Sequence, residues 1–494
     1  MHTEPLTNFI NGQWHGASGS EYQDVLNPAT GEVLAQVPLS DASDVLAAVD
    51  AASAAFLEWR RTPPEDRIQP LFKLKQLMED HFEEFGRLIT QENGKTLAEA
   101  KGEMRRAIEN VEVACGIPIM MQGYNLEDVA RGIDETMIRQ PLGVVAAITP
   151  FNFPGMIPFW FLPYAIACGN TLILKPSERV PLTMRFAFDL LQRTGLPKGV
   201  VNLVNGGKKV VDALLDHPQI RAISFVGSTP VAKYVYARAA ANGKRAQCQG
   251  GAKNHVIVLP DADMSLATQI ISDSAFGCAG QRCLAVSVAV TVGDAQKVFG
   301  RSITEAAAKL KVGNGLEASV QVGPQVNAAQ IETSKRYVEI AVSEGAQLLT
   351  GGHALTEGPY AHGSFFAPTV LGGVMPSMRI AREEVFGPVV CLIEFDIFEQ
   401  AVEVANSIDY GLSTALYTKD VNRAFTAMRD LEAGITYINA PTIGAEVHLP
   451  FGGVKHTGNG HREGLGAIDF FTTWKAVYVD YSDKLQRAQI DNAD

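Results

Sequence analysis

The stretch Phe276-Gly-Cys-Ala-Gly-Gln-Arg-Cys-Leu-Ala285 sets Cys283 directly after a run of small residues that would let a substrate come close to its sulfur. A cysteine acts as a nucleophile only as its thiolate, stabilised by a neighbouring cation or a helix N-terminus, and Arg282 adjoins it in sequence. The same stretch reads equally well as a small buried apolar side chain among Ala, Gly and Leu. These ten residues leave both readings open.

Two further groups have types suited to an anionic ligand. In Gly227-Ser-Thr-Pro230 the glycine permits a tight turn, Ser228 or Thr229 can cap a helix, and Pro230 suits its first turn, so backbone N–H groups face outward toward an anion. Lys175 and Glu178 follow an apolar run and offer a cation and a carboxylate to phosphate or ribose hydroxyls. An ordinary strand-to-helix cap accounts for the first group without any ligand. No G-x-G-x-x-G follows a strand, so the usual dinucleotide fingerprint is missing. The pair Arg105-Arg106 lies in a helical pattern, where adjacent side chains diverge by about 100°, so at most one faces inward.

The elements that must position these residues follow from apolar periodicity. Short strands are expected at 8–14, 24–31 and 33–37, and a helix capped by Asp41 or Ser43 runs to Trp59. A longer helix starts near Pro63-Pro64 and ends at Asn93-Gly94, and a third spans 96–115. Then Val144-Val-Ala-Ala-Ile148, Thr171-Leu-Ile-Leu174, Val201-Asn-Leu-Val204 and Ala222-Ile-Ser-Phe-Val226 are apolar runs separated by helical patterns. That alternation predicts a parallel α/β sheet with ligands at the carboxyl ends of its strands. A second α/β region begins at His255-Val-Ile-Val-Leu259 and contains Cys283, and Tyr478-Val-Asp-Tyr-Ser482 suits an edge strand that pairs with another subunit.

Bulk properties narrow the classes. At 494 residues the chain exceeds the size of a single core, so at least two domains are expected. Its 46% apolar and 19% charged residues exclude disordered and fibrous classes. A formal charge of −12 argues against a nucleic-acid partner. The six cysteines show no CxxC or paired metal spacing, so neither a disulfide framework nor a metal site is expected. The first residues lack a basic region followed by an apolar core, which predicts a cytoplasmic protein. The most apolar stretch, 156–168, contains two prolines and is too short to span a membrane.

Pro150-Phe-Asn-Phe-Pro154, Lys175-Pro-Ser-Glu178, Phe225-Val-Gly-Ser-Thr229, Gly280-Gln-Arg-Cys283, Glu383-Glu-Val-Phe-Gly-Pro388 and Pro450-Phe-Gly-Gly453 occur in that order. Together they resemble the aldehyde dehydrogenase superfamily over nearly the whole chain. The resemblance implies an α/β fold of two parallel-sheet, Rossmann-related domains plus a small β oligomerisation domain, binding NAD or NADP without the glycine fingerprint. It divides the chain into a cofactor-binding domain (1–121 and 144–253), a catalytic domain (254–455), oligomerisation segments (122–143 and 472–494) and a return to the cofactor domain over 456–471. A homodimer or homotetramer is implied as well.

Carried over by motif, Cys283 matches the nucleophile and Asn152 the side chain that forms an oxyanion hole with the Cys283 backbone N–H. Lys175 and Glu178 match contacts to the adenosine ribose, Ser228 a pyrophosphate contact, and Glu384 with Phe386 the nicotinamide-ribose side. Thr149, Pro150, Phe151, Ser177, Gly206 and Gly227 are implied around the cofactor. Hydrolytic members carry a general-base glutamate where this chain has Gln249, in Gln249-Gly-Gly-Ala-Lys253. An amide takes no proton from water at neutral pH, so general-base help of about 10²–10⁴-fold is lost at that position.

Gly251-Ala-Lys-Asn-His255 and the 150–158 and 175–181 stretches are most similar to the CoA-acylating methylmalonate-semialdehyde dehydrogenases. In that branch CoA takes the acyl group, and two arginines hold the substrate carboxylate, matching Arg106 and Arg282. The resemblance therefore implies NAD-dependent oxidation of a methylmalonate- or malonate-type semialdehyde through a Cys283 thioester passed to CoA. Two departures support an alternative, a CoA-independent dehydrogenase of succinate, 2-oxoglutarate or a related semialdehyde. Gln249 replaces the branch's usual asparagine, and Asn439 to Lys455 is more similar to hydrolytic members. In the alternative, Glu463 serves as the substitute base. A non-catalytic member of the fold is the third reading, and the presence of Cys283, Asn152 and Glu384 argues against it.

Overall fold

Four apolar runs and the polar strand Arg245–Gln249 make the centre of the first sheet. In this computed structural model, which describes residues 5–444 and 446–483, the strands Val201–Leu203, Thr171–Lys175, Val144–Ile148, Ile220–Val226 and Arg245–Gln249 lie side by side and parallel. All five residues of Val144–Ile148 are buried, as a strand covered by helices on both faces requires. The strand order reverses between Val144–Ile148 and Ile220–Val226, so a crevice opens at their carboxyl ends, where Thr149 and Gly227 follow. Antiparallel strands close both edges: Asn8–Ile10 against Leu203, and Gly458–Asn459 against Cys248 and Gln249.

The second sheet is parallel across Thr369–Gly372, Val389–Phe395, Val286–Val292, Asn254–Val258, Ser413–Tyr417 and Ile435–Ile438, with Gln347–Thr350 antiparallel at one edge. A third, antiparallel sheet pairs Thr472–Asp480 with Ile133–Pro141, and Ile133–Pro141 with Tyr124–Ala130. The chain thus adopts the expected α/β class, with two parallel sheets and a small β sheet. Residues 1–4, Ala445 and the 484–494 end of the 472–494 segment lie outside the described residues. Among the described residues no helix is long and apolar enough to cross a membrane.

The single helix expected from Pro63 to Asn93 is instead three: Pro64–Arg67, Gln69–Asp80 and Phe82–Asn93. Pro70, which lacks a backbone N–H, sits in the first turn of the second, and His81 leaves helical geometry at φ −108°, ψ 19°. Gly94 ends the third in the left-handed region at φ 95°, a cap that glycine adopts without strain. Just beyond, Thr96 and Glu99 form a reciprocal capping box that starts the helix Leu97–Ala114. That helix carries both arginines. Arg105 points to Glu79 on the surface, whereas Arg106 reaches a cavity wall.

Candidate active site

Cys283 emerges from a tight turn. Cys278 and Ala279 both take φ 52°, and Gly280 takes φ 71°. A Cβ at Gly280 would meet the Gly387 carbonyl oxygen at 2.0 Å, so only glycine lets the 277–283 loop close against the Glu383–Pro388 loop. Of the six cysteines, Cys283 alone is not buried. It lines a cavity of about 250 Å³, together with Phe153, Met156, Trp160, Phe451, Arg106 and Glu463.

The electrostatics around the sulfur correct one expectation. Arg282 does not serve the Cys283 thiolate: its Nε donates to Cys278 Sγ at 3.1 Å and its Nη2 to Glu99 Oε1 at 2.9 Å. Burial pushes the Cys283 thiol up, and the cation that opposes this is Arg462, while Glu384 adds to the rise. Arg462 is buried, its guanidinium 3.5 Å from the Trp160 ring centroid and 3.8 Å from that of Phe451. Burial pushes it down to about 10.

Asn152 is buried, and its Nδ2 donates to the Gln281 carbonyl oxygen at 3.0 Å, two residues before the nucleophile candidate. Its own carbonyl accepts from Lys95 Nζ at 2.7 Å. Lys95 is ion-paired with Glu103, neither side chain exposing any surface. Glu103 Oε1 accepts from the backbone N–H groups of Gly155 and Met156 at 2.6 and 3.1 Å. Asn93 Nδ2 donates to the Phe151 carbonyl at 2.9 Å, so side chains from Asn93 to Glu103 hold the 151–156 loop on both sides of Asn152. Glu99, in the same segment, accepts from Cys278 N at 2.7 Å and so holds the cysteine loop too.

Gln249 ends its strand buried, outside the cavity wall, with Nε2 donating to the Gly460 carbonyl at 3.1 Å. Its Oε1 is buried without a partner. Glu463 does reach the cavity and is buried at φ 71°. Burial pushes its carboxyl up to about 7, against the pull of Arg462 and Arg106 and an Asn110 hydrogen bond. Arg106 Nη1 and Nη2 grip Glu446 at 2.9 and 3.0 Å, and Nη1 also donates to Glu109 at 2.7 Å.

Most of the remaining sequence-derived residues follow strands of the first sheet, whereas Glu384 and Phe386 precede Val389–Phe395 in the second. Thr149 is buried and leads into Pro150 and Phe151, whose ring meets Phe386 edge-on at 5.9 Å. Lys175 Nζ donates to Glu178 Oε2 at 2.9 Å. Burial works against the Glu178 carboxylate, yet Lys175 beside it holds its pKa below the usual range. Ser177 Oγ accepts from Arg179 N at 3.3 Å. Gly206 has φ 148°, and a Cβ on Gly227 would meet the Phe225 ring at 2.5 Å, so both positions require glycine. Ser228 occupies the N-cap of the helix Thr229–Ala241 without a side-chain capping bond, and Thr229 Oγ1 accepts from Gly251 N at 2.8 Å instead. Glu384 Oε1 accepts from Ala252 N at 3.0 Å, and burial pushes its carboxyl up to about 7 although Lys253 opposes this. Glu384, Phe386 and Cys283 share the wall of a second, small pocket.

The geometry therefore brings Cys283, Arg106, Arg282 and Glu463 to one cavity and puts Cys283 between it and Glu384 and Phe386. It sets Gln249 aside. Sequence reading missed Lys95, Glu99, Glu103, Arg462 and Glu446. Of these only Glu99 carries a local signal, the Thr96-x-x-Glu99 box, which marks a helix start and not its second contact.

The aldehyde dehydrogenase family model matches residues 14–477. Malonate-semialdehyde dehydrogenase 3 of Geobacillus kaustophilus is 44% identical over 483 residues, covering 97% of this chain and 99% of the relative. The crystal structure of methylmalonate-semialdehyde dehydrogenase from Oceanimonas doudoroffii has a TM-score of 0.95 at 41% identity, covering 97% of this chain and 99% of that one. A Sinorhizobium meliloti structure complexed with NAD has a TM-score of 0.95 at 37% identity, covering 98% and 99%. On this match and the arrangement of thiol, amide and strand ends, the chain belongs to the aldehyde dehydrogenase family.

Proposed function

We propose that this chain oxidises a short carboxylated semialdehyde, of the malonate or methylmalonate semialdehyde type, with NAD, and that CoA takes the acyl group from Cys283. The observation that carries the acceptor is Gln249, an amide that gives its N–H to a backbone carbonyl and cannot take a proton from water. The names of the relatives support the substrate class.

The strand-end residues fit a dinucleotide. The Lys175–Glu178 pair offers a carboxylate to ribose hydroxyls, and a carboxylate disfavours a 2′-phosphate, which supports NAD over NADP. Thr149, Pro150, Phe151, Ser177, Gly206 and Gly227 would form the surrounding walls, Ser228 with its uncapped helix start would face the pyrophosphate, and Glu384 and Phe386 would face the nicotinamide side. Bound there, NAD supplies the hydride acceptor.

The chain's own groups do the rest. Cys283 attacks the aldehyde carbon as thiolate, helped by Arg462. Asn152 Nδ2 and the Cys283 backbone N–H stabilise the resulting oxyanion. Once oxidised, the carbon is a thioester on Cys283, and with Gln249 unable to activate water the CoA thiol displaces it. Arg106 takes the substrate's carboxylate through its planar fork, and Arg282, held by Glu99, adds charge to the same wall. An acyl-CoA ester should appear in step with NADH; NADH without any ester would refute the proposed acceptor.

One observation favours a second reading. Glu463 shares the cavity with Cys283 and is held near 7, where a carboxylate can act as a base. CoA-independent hydrolysis of a longer semialdehyde through Glu463 is that reading, and sensitivity of CoA-free turnover to Glu463→Gln would establish it. We also propose that the third sheet joins subunits of a homodimer or homotetramer, since it exposes Tyr124, Leu126, Tyr478 and Val479. A cytoplasmic location accords with the free cysteines.

A further inference from the structure

Arg106 is already occupied by a carboxylate. Glu446 places its two oxygens against Nη1 and Nη2 at 2.9 and 3.0 Å, the fork geometry that a substrate carboxylate would use. We infer that Glu446 is a built-in competitor for the substrate's carboxylate, gripping Arg106 in the empty site and giving way when a carboxylated aldehyde arrives. The inference rests on the reading of Arg106 as the carboxylate site.

Three features make the exchange feasible. The Glu446 side chain is 65% exposed, so once displaced it returns to water at little cost. Arg106 keeps its 2.7 Å contact to Glu109, three residues along the same helix, so the guanidinium stays oriented and its charge stays partnered. Glu446 also lies between Ile443 and Val447, both on the cavity wall, so its release acts at the cavity itself.

The consequence is a substrate-dependent penalty. A neutral aldehyde can reach Cys283 without breaking the pair, whereas a carboxylated one must break it to reach Arg106. Affinity for carboxylated ligands is therefore lower than the arginine alone would give, and their release is correspondingly faster.

The test compares wild type, Glu446→Gln, Glu446→Ala and Arg106→Met as full chains. One readout is the ratio of KM for malonate semialdehyde to KM for propanal at saturating NAD and CoA. The other is the malonate concentration that half-protects Cys283 from iodoacetamide, which needs no turnover. Both glutamate variants should lower the ratio and the half-protecting concentration by roughly fivefold, the scale of one part-exposed ion pair. A rise, or a change of less than twofold, overturns the competitor. Arg106→Met separates the two claims. If it abolishes protection while the glutamate variants change nothing, the carboxylate site stands and the competitor falls. If wild-type protection is absent or survives Arg106→Met, the carboxylate site is refuted and the competitor with it.

Discussion

Lys95 and Asn152 are joined directly: the Lys95 ammonium donates to the Asn152 carbonyl at 2.7 Å, while the Asn152 amide reaches across to the Gln281 carbonyl at 3.0 Å. A buried cation thus fixes the backbone of Asn152, whose side-chain amide touches the loop carrying Cys283.

Removing the cation should be costly. Lys95→Met leaves Glu103 buried and unpaired, a change of about 3–5 kcal/mol. Urea unfolding should show that loss. The double variant Lys95→Met/Glu103→Gln should recover part of it, because the glutamine oxygen still accepts from Gly155 and Met156. No recovery would mean that the charge pair is not the source of the loss.

Gln249→Glu brings a carboxylate up against the Gly460 carbonyl, where the amide now donates. The new side chain has to swing away from that carbonyl, so it should lower thermal stability and raise CoA-free turnover by about tenfold, short of the 10²–10⁴-fold of a well-placed base. Steady-state NADH formation without CoA and a melting curve check both effects.

Glu463 gives a pH dependence of definite sign. Burial raises its folded pKa to about 7 from an ordinary 4.5, so the folded chain holds this proton more tightly than the unfolded chain. Its contribution to stability is complete below 4.5 and is lost as pH rises toward 7, by roughly 3 kcal/mol. Glu463→Gln should remove that slope, so the variant should gain on wild type between pH 5 and pH 8 in denaturant titrations. An unchanged difference between the two pH values would argue against a buried, protonated Glu463.

Cys283 should be the thiol that governs inactivation. The other five cysteines are buried, so limiting iodoacetamide should label Cys283 first and activity should fall in proportion. Mass mapping of the labelled peptide checks this, and prior labelling of Cys278 would reverse it.

Much of this arrangement was legible in the sequence because it is local. The buried strand at 144–148, the Gly94 cap and the Gly227 turn are each encoded within a few residues. The Cys283 turn is marked by its small residues in the same way. Side-chain partners were not legible where they come from far along the chain. Arg282 meets Glu99 across 183 residues and Arg106 meets Glu446 across 340, so neither arginine's orientation follows from its neighbours. The unbroken helix expected over 63–93 failed for a different reason. Its apolar spacing continues past His81, where the backbone leaves helical geometry, and Pro70 withholds a helical N–H just after Ile68.

The most direct measurement is the stoichiometry of NADH formed when the chain meets malonate semialdehyde and NAD without CoA. An acyl group that waits on Cys283 gives one rapid NADH per active site and then stops, until CoA restores turnover. Cys283→Ala gives no burst. Continuous CoA-free turnover at the rate seen with CoA would contradict transfer to CoA, and a burst retained in Cys283→Ala would contradict Cys283 as the nucleophile.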